Sequence, residues 1–564
     1  MLLILLVVSI VLHAQGSAAQ AADPFVLLYQ ISSTPSYNPI GFVVAGGGDF
    51  DGDGFDDFAI GSPFRNLGVG SARVYSGIGG FPIAEYSGDP AFNFPPPGCP
   101  PGGGCGERFA TAILLTDLDG DSISEFVAGA PAGWSLFGGS PTAVGRLVVF
   151  DYASASTPMT YLPPVAGSYF GNVLARGGDL NSDGFEDLLV SSPGYDIPGA
   201  GFGNTGAAWA LGGPFLGNVL QFVSGVQPGE FFGGNEYEGG LAGLGDVDGD
   251  AQDDWAVASP QRYNGPLLAA GLVQVLSGAN GSVLNQWLGT SQFQVLGKKL
   301  TSLGDVNGDT VPDLAFSDLP IPGLGNPAPP TLYVASGASG SMLYTWSSPT
   351  NLGSVVDLGR VDDVTGDGTD EIVLSHSTPP VTRVSILSGA TGVLVYQITQ
   401  PSGTNFGYEV SGAGDLNGDG LGDFLVSWQL APLQGSSLTG KVLVYAARNL
   451  AVVGAPTVGG TLSLSLNVPA WPNRPFVFAF SQGNAGFLLG PYWIPVTLDS
   501  LFVSTLEAGL GGILTSSGQG TFTMPIPNDP SIQGTTVYAS GAVFEPPPSF
   551  AIRTVLTATT VSIP

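Results

Sequence analysis

Short apolar runs recur along roughly the first four-fifths of the chain, each set off by glycine, asparagine, serine or proline. Phe58-Ala59-Ile60, Phe126-Val127-Ala128, Leu188-Leu189-Val190, Trp255-Ala256-Val257, Leu314-Ala315-Phe316, Ile372-Val373-Leu374 and Phe424-Leu425-Val426 are continuous rather than alternating. A half-exposed strand alternates apolar and polar residues, whereas a continuous run marks a strand covered on both faces. Further along each unit, two apolar segments flank a Ser-Gly turn, as in Val273 to Leu276, Ser277-Gly278-Ala279-Asn280-Gly281 and Val283-Leu284. Such segments read as β-hairpins, and the pattern predicts an all-β protein.

Before every continuous run stands a loop with oxygen-bearing side chains at alternate positions. The first four sets are Asp49/Asp51/Asp53/Asp57, Asp117/Asp119/Asp121/Glu125, Asp179/Asn181/Asp183/Asp187 and Asp246/Asp248/Asp250/Asp254. The remaining three are Asp305/Asn307/Asp309/Asp313, Asp363/Thr365/Asp367/Glu371 and Asp415/Asn417/Asp419/Asp423. A hard divalent cation takes several oxygen ligands, and alternate side chains around a tight turn converge on one point, so calcium is the natural occupant. One such loop could be a solvated Asp/Gly turn; repetition makes that reading untenable.

Loop starts are separated by 68, 62, 67, 59, 58 and 52 residues, the size of a four-stranded blade with variable connections. Each unit supplies an A strand before the loop, a B strand after it and a C–D hairpin. The last unit lacks a D strand. Phe25-Val26-Leu27-Leu28-Tyr29-Gln30-Ile31-Ser32, which precedes the first loop, reads almost like Val393-Leu394-Val395-Tyr396-Gln397-Ile398, the D strand of the sixth unit. It is therefore predicted to pair with the last C strand and close the ring, removing two open sheet edges.

On these residues the chain resembles the FG-GAP repeat proteins, the class that includes the heads of integrin α chains and many secreted bacterial proteins. Phe-Gly stands at Phe170-Gly171, Phe232-Gly233 and Phe406-Gly407, and Gly-Ala-Pro at Gly129-Ala130-Pro131, with relatives at Gly61-Ser62-Pro63, Ser191-Ser192-Pro193 and Ala258-Ser259-Pro260. The resemblance implies a seven-bladed β-propeller over residues 22–448 with up to seven calcium ions, one per A–B loop. In these loops the seventh position, Phe55, Ile123, Phe185, Gln252, Val311, Thr369 or Leu421, would add a backbone carbonyl. Ser122 and Ala251 depart from the turn glycine, and Thr365 from Asp or Asn, so weaker binding is expected there.

Composition locates the chain. Residues 1–21 read as a signal peptide, with an apolar run from Met1 to Leu12 and small residues up to the predicted cleavage site, although no Lys or Arg precedes the run. A secreted or surface-associated protein without a membrane span follows. Cys99 and Cys105, the two cysteines, are expected to pinch a loop as a disulfide; a metal or redox pair is the alternative. The net charge of −31 argues against nucleic acid or anionic membranes as partners. Residues 451–564 hold few of the acids; after a linker at 449–456, residues 457–564 read as a small β-sandwich-like domain.

With His376 the one histidine beyond the leader, no catalytic residue is assigned. The chain is expected to be a calcium-stabilised, non-enzymatic binding, adhesion or scaffold module for an unidentified extracellular protein or glycan. Ligands would approach the B–C and D–A connections, which carry Trp134, Phe137, Tyr195, Phe202 and Tyr263. A polysaccharide- or phospholipid-acting hydrolase or lyase and a purely architectural surface protein are the alternatives.

Overall fold

The computed structural model describes most of residues 25–564; the longer stretches outside it are 1–24, 33–39, 90–105, 235–239, 348–353, 433–437, 453–458, 495–509, 527–532 and 545–551, with shorter breaks elsewhere. The predicted signal segment and the Cys99–Cys105 pair lie outside the described residues. Among the described residues the protein is all-β apart from one helical turn at Arg65–Gly68. Among the described residues no helix is long and apolar enough to cross a membrane. Two compact units are present: Tyr29–Leu416 with Gly422–Tyr445, and Ala446–Pro564 with Met1–Leu28 and Asn417–Leu421.

The larger unit is a β-propeller of repeated four-stranded antiparallel sheets, numbered here in chain order. Sheet one is Val43–Gly48, Asp57–Ser62, Ser71–Tyr75 and Pro82–Ser87. Sheet two is Ala112–Thr116, Glu125–Gly129, Leu147–Phe150 and Met159–Tyr161; sheet three is Leu174–Gly178, Asp187–Ser192, Ala207–Gly212 and Asn218–Ser224. Sheet four is Leu241–Gly245, Asp254–Ser259, Leu272–Leu276 and Val283–Leu288; sheet five is Leu300–Ser302, Leu314–Ser317, Thr331–Ala335 and Met342–Ser347. Sheet six is Ser354–Val361, Glu371–Thr378, Val381–Ser388 and Leu394–Pro401. Sheet seven joins Phe406–Gly414, Asp423–Pro432 and Leu438–Ala447 to the N-terminal strand Phe25–Ser32.

That last pairing is the closure expected from the chain's two ends. Tyr29 and Ile31 pack on the apolar cluster shared by sheets seven and one, and Gln30 accepts a hydrogen bond from Lys441 Nζ at 3.3 Å. The inner strands touch in the cycle one to seven and back to one. Gly46 and Gly412 allow this approach: a Cβ on Gly46 would lie 2.7 Å from Ala413 Cα, and one on Gly412 would lie 2.3 Å from the Arg360 carbonyl oxygen. The continuous apolar runs occupy the B strands, which are buried along their length in sheets one to four, as strands covered on both faces must be.

Besides a two-stranded hairpin of Phe487–Leu489 and Tyr492–Ile494, the described residues of the smaller unit form two larger sheets. One is Leu450–Val452, Thr461–Asn467 and Gln519–Pro525, and the other is Leu510–Ile513, Pro475–Ser481, Thr536–Phe544 and Ile552–Ser562. Alternation in Thr461–Asn467 turns Leu462, Leu464 and Leu466 inward, where they meet Phe476, Phe478, Phe480 and Val543. This is sandwich packing, as the sequence pattern anticipated.

Candidate metal-binding loops

Each A–B loop opens where the A strand ends. In sheets one, three, four and seven a register shift precedes it, at Gly46/Gly48, Arg176/Gly178, Gly243/Gly245 and Gly412/Gly414. The chain then wraps around its own carboxylates. In the first loop Asp49 Oδ1 accepts from Gly52 N at 2.7 Å and Asp53 N at 3.1 Å, and Oδ2 accepts from Gly54 N at 2.8 Å. In all seven loops the position-seven N–H donates to the position-five carboxylate, from Phe55 N to Asp53 at 3.0 Å through Leu421 N to Asp419 at 2.8 Å.

The ninth position is the anchor. Its carboxylate accepts from the second residue of the loop in every copy: Phe50 N to Asp57, Leu118 N to Glu125, Leu180 N to Asp187, Val247 N to Asp254, Val306 N to Asp313, Val364 N to Glu371 and Leu416 N to Asp423. Where this residue is Asp in sheets one, three, four and five, its other oxygen accepts from the C–D turn, Gly77, Gly213, Gly278 or Gly337. Burial pushes the carboxyls of Asp57, Glu125 and Glu371 up to about 8 against these hydrogen bonds, and those of Asp187, Asp254 and Asp313 up to about 6.

Four loops bring three carboxylates into one place. Asp49, Asp51 and Asp53; Asp117, Asp119 and Glu125; Asp246, Asp248 and Asp250; and Asp363, Asp367 and Glu371 each offer oxygens within 4.8 Å of one another. Asp121 stands apart from the second group and holds Ile123 N at 2.8 Å. Thr365 donates its hydroxyl toward Asp363 and Glu371.

Among the described residues the third and fifth loops do not bring three carboxylates together as those four do. Asp183 and Asp309, expected to ligate at position five like Asp53 and Asp250, belong to no such three-carboxylate group among the described residues. At position three Asn181 and Asn307 supply a neutral amide in place of an acid. The backbone wrap is kept. Asp183 N donates to Asp179 Oδ1 at 3.0 Å, and the Asp183 carboxylate accepts from Phe185 N at 3.1 Å. Asp309 N donates to Asp305 Oδ1 at 3.0 Å and Asn307 Oδ1 at 2.9 Å, and its carboxylate accepts from Val311 N at 3.0 Å and the Ser336 hydroxyl at 3.4 Å. Asn307 turns its amide nitrogen to Asp313 Oδ1 at 3.0 Å.

The seventh loop differs again. Asp419 is fully buried and accepts from Asn449 Nδ2 at 2.7 Å, and Asn417 and Leu421 are buried, whereas the middles of the other loops are exposed. Asp415 N donates to Asp56 of the first loop at 2.8 Å, as Asp179 N of the third loop donates to Asp253 of the fourth.

The sixth position is left-handed in every loop whatever its residue: Gly54 (φ 89°), Ser122 (70°), Gly184 (88°), Ala251 (71°), Thr310 (73°), Gly368 (88°) and Gly420 (83°). Thr310 is a third departure from glycine that inspection of the sequence passed over. A β-branched residue there carries strain of ~1–2 kcal/mol.

Other charged groups have no regular spacing and were missed. Glu107 and Arg146 form a buried ion pair through two 2.9 Å bonds, and Glu230 and Arg262 a partly buried one at 2.8 and 2.9 Å. Both glutamates stand two residues before an aromatic, Phe109 or Phe232, and tie a D–A connection to a B–C connection. At the inner strands Lys299 Nζ meets Asp357 Oδ1 at 2.9 Å; burial and Asp357 together hold the Glu409 carboxyl well above the usual range. His376 Nε2 lies 3.0 Å from Ser385 Oγ, and both residues are buried. Of the aromatics predicted on the B–C and D–A connections, Tyr263 is 39 % exposed and Tyr195 is buried. The side chains of Trp134 and Phe137, and all of Phe202, lie outside the described residues.

The arrangement can be set beside known proteins. The FG-GAP repeat family matches residues 41–76 and 170–211. The chain is similar to integrin alpha-PS2 of Drosophila melanogaster, 30 % identical over 218 residues, covering 36 % of this chain and 15 % of that protein. It is 28 % identical to integrin alpha-V of Gallus gallus over 161 residues (27 % and 14 %) and 27 % identical to integrin alpha-7 of Mus musculus over 251 residues (42 % and 19 %). The chain thus spans less than a fifth of these relatives' length.

Proposed function

From FG-GAP repeats carried on a β-propeller, we propose that this protein is a secreted, calcium-stabilised and non-enzymatic module that binds an extracellular protein or glycan. The observation that carries the reading is the convergence of three carboxylates in each of four loops, already held by backbone N–H groups. An all-oxygen donor set with buried carboxyl anchors fits a hard cation such as calcium, whose charge would favour their ionised form. The side chains at positions one, three, five and nine would hold the ion, with up to seven sites if the Asn-containing loops also fill. A bound ion would offset repulsion within each cluster and stiffen the A–B hairpin, so its role is structural.

In a propeller the B–C and D–A connections lie at the end opposite the A–B loops, and residues there are free to vary without loss of the ion sites. Integrin-like resemblance favours ligand binding at that end. An array of extracellular proteins and glycans, probed with the intact chain in calcium and in EDTA, tests the proposal. Binding that requires calcium supports it, and uniform absence of binding returns the architectural reading.

A further inference from the structure

Neighbouring sheets diverge outward, and aromatic D-strand side chains fill the resulting wedge. Tyr86 of sheet one stacks on Phe126 and Phe150 of sheet two, with centroids 5.3 and 3.9 Å away. Trp287 of sheet four packs on Phe316 of sheet five at 5.2 Å, and Trp346 of sheet five on His376 of sheet six at 5.7 Å. These residues are equivalent by register: Tyr86 lies opposite Ala72, Trp287 opposite Val273 and Trp346 opposite Leu332. The same position in sheet three, opposite Ala208, is Val223.

The third residue of the C strand carries a ring in sheets three and five, as Trp209 and Tyr333, but is Gln274 in sheet four and Arg73 in sheet one. The ring position at Val223 is therefore emptied at this junction, and Gln274 does not refill it. A groove of about 590 Å³ remains between sheets three and four, within the range of small-molecule sites, lined by Val223, Gln274, Gln286, Val283, Leu288 and Tyr263 among others.

Its chemistry is selective. The charged lining residues, Glu230 and Arg262, neutralise each other through two hydrogen bonds, so the groove offers no net charge in a chain of −31. Gln274 Nε2 reaches Gln286 Oε1 at 3.5 Å, which leaves the Gln274 carbonyl oxygen and the Gln286 amide nitrogen as an acceptor and a donor. Val226, Val283 and Leu288 add exposed apolar surface. Tyr263 is presented on a fixed loop: its N–H donates to Gln227 Oε1 at 2.8 Å, Gln227 Nε2 returns to the Tyr263 carbonyl at 3.3 Å, and Gln227 N donates to Glu230. A ring held this way loses little freedom on binding.

We infer that this groove binds a neutral saccharide chain, with a pyranose ring stacked on Tyr263 and hydroxyls bonded to Gln274 and Gln286. A charged ligand would find no countercharge, and a wholly apolar one would bury the amides unpaired. The inference rests on the reading of the protein as an extracellular binding module and names the ligand class for it.

The test is calorimetric titration of the intact chain, in calcium, with neutral pentasaccharides of glucose, mannose, galactose and N-acetylglucosamine. At least one binds; Tyr263→Ala weakens it about tenfold and Gln286→Ala several-fold. Val223→Trp, which refills the wedge, abolishes binding while the thermal midpoint is kept. Failure of all four sugars to bind, or binding indifferent to Tyr263→Ala and Val223→Trp, overturns the inference. If the sugars fail but the chain captures an extracellular protein on the array, the saccharide groove falls and the binding-module reading stands.

Discussion

Removing calcium perturbs all the proposed ion sites together. Four loops bring three carboxylates within 4.8 Å, and these are expected to carry most of the effect. With the ~0.1–1 mM affinities usual for extracellular calcium modules, 10 mM calcium stabilises the fold by ~1.4–2.7 kcal/mol per site, or ~6–11 kcal/mol for four. The propeller has an unfolding entropy of ~0.9 kcal/mol/K, taking ~2.1 cal/mol/K for each of roughly 420 residues. EDTA should therefore lower the thermal midpoint by ~6–12 °C. Differential scanning calorimetry on the native chain and on a variant carrying Asp51→Asn, Asp119→Asn, Asp248→Asn and Asp367→Asn provides the check. The variant should have a lower midpoint in calcium and show little further loss in EDTA. A native chain whose midpoint moves by less than ~2 °C, or a variant that keeps the full EDTA shift, refutes the role of these loops.

Three further outcomes follow from the packing. A chain lacking residues 25–32 leaves Leu438–Ala447 as an open edge and uncovers the cluster under Tyr29 and Ile31; its midpoint should fall by several degrees, a loss of ~3–5 kcal/mol, and an unchanged midpoint would disprove closure. Thr310→Gly relieves a left-handed β-branched residue and should raise stability by ~0.5–1 kcal/mol in urea unfolding, after the entropy cost of glycine; destabilisation would contradict the strain. The pKa of His376 is lowered to about 4 by burial and then by Arg383, so the folded state prefers the neutral ring. Its stabilisation is intact above the unfolded value of ~6.5 and is lost as pH falls toward 4, with ~2 kcal/mol gone by pH 5. His376→Gln should flatten the difference in stability between pH 7 and pH 5, and an unaltered difference would exclude this histidine.

Sequence by itself determined the repeat, because a carboxylate at alternate positions and a continuous apolar run are local patterns that each unit must carry for itself. It also determined the closing strand, since Phe25–Ser32 repeats a D-strand pattern with no unit of its own. The left-handed sixth position was legible where glycine occupies it and hidden at Thr310, where the loop imposes the conformation against the residue's preference. Loop membership was legible for Asp183 and Asp309, but their separation from any three-acid group depends on how the side chains around Asn181 and Asn307 settle. What only the tertiary structure decided lies between units. The burial of Asp419 by Asn449, the Glu230–Arg262 pair and the approach of Lys299 to Asp357 join residues at no fixed separation. The groove between sheets three and four is of the same kind. Val223 and Gln274 are unremarked strand residues in the sequence, and register alone places Val223 where sheets one, four and five carry aromatic rings. Local pattern specifies each blade, while the space between blades depends on two side chains contributed from separate repeats, so no single stretch of sequence encodes it.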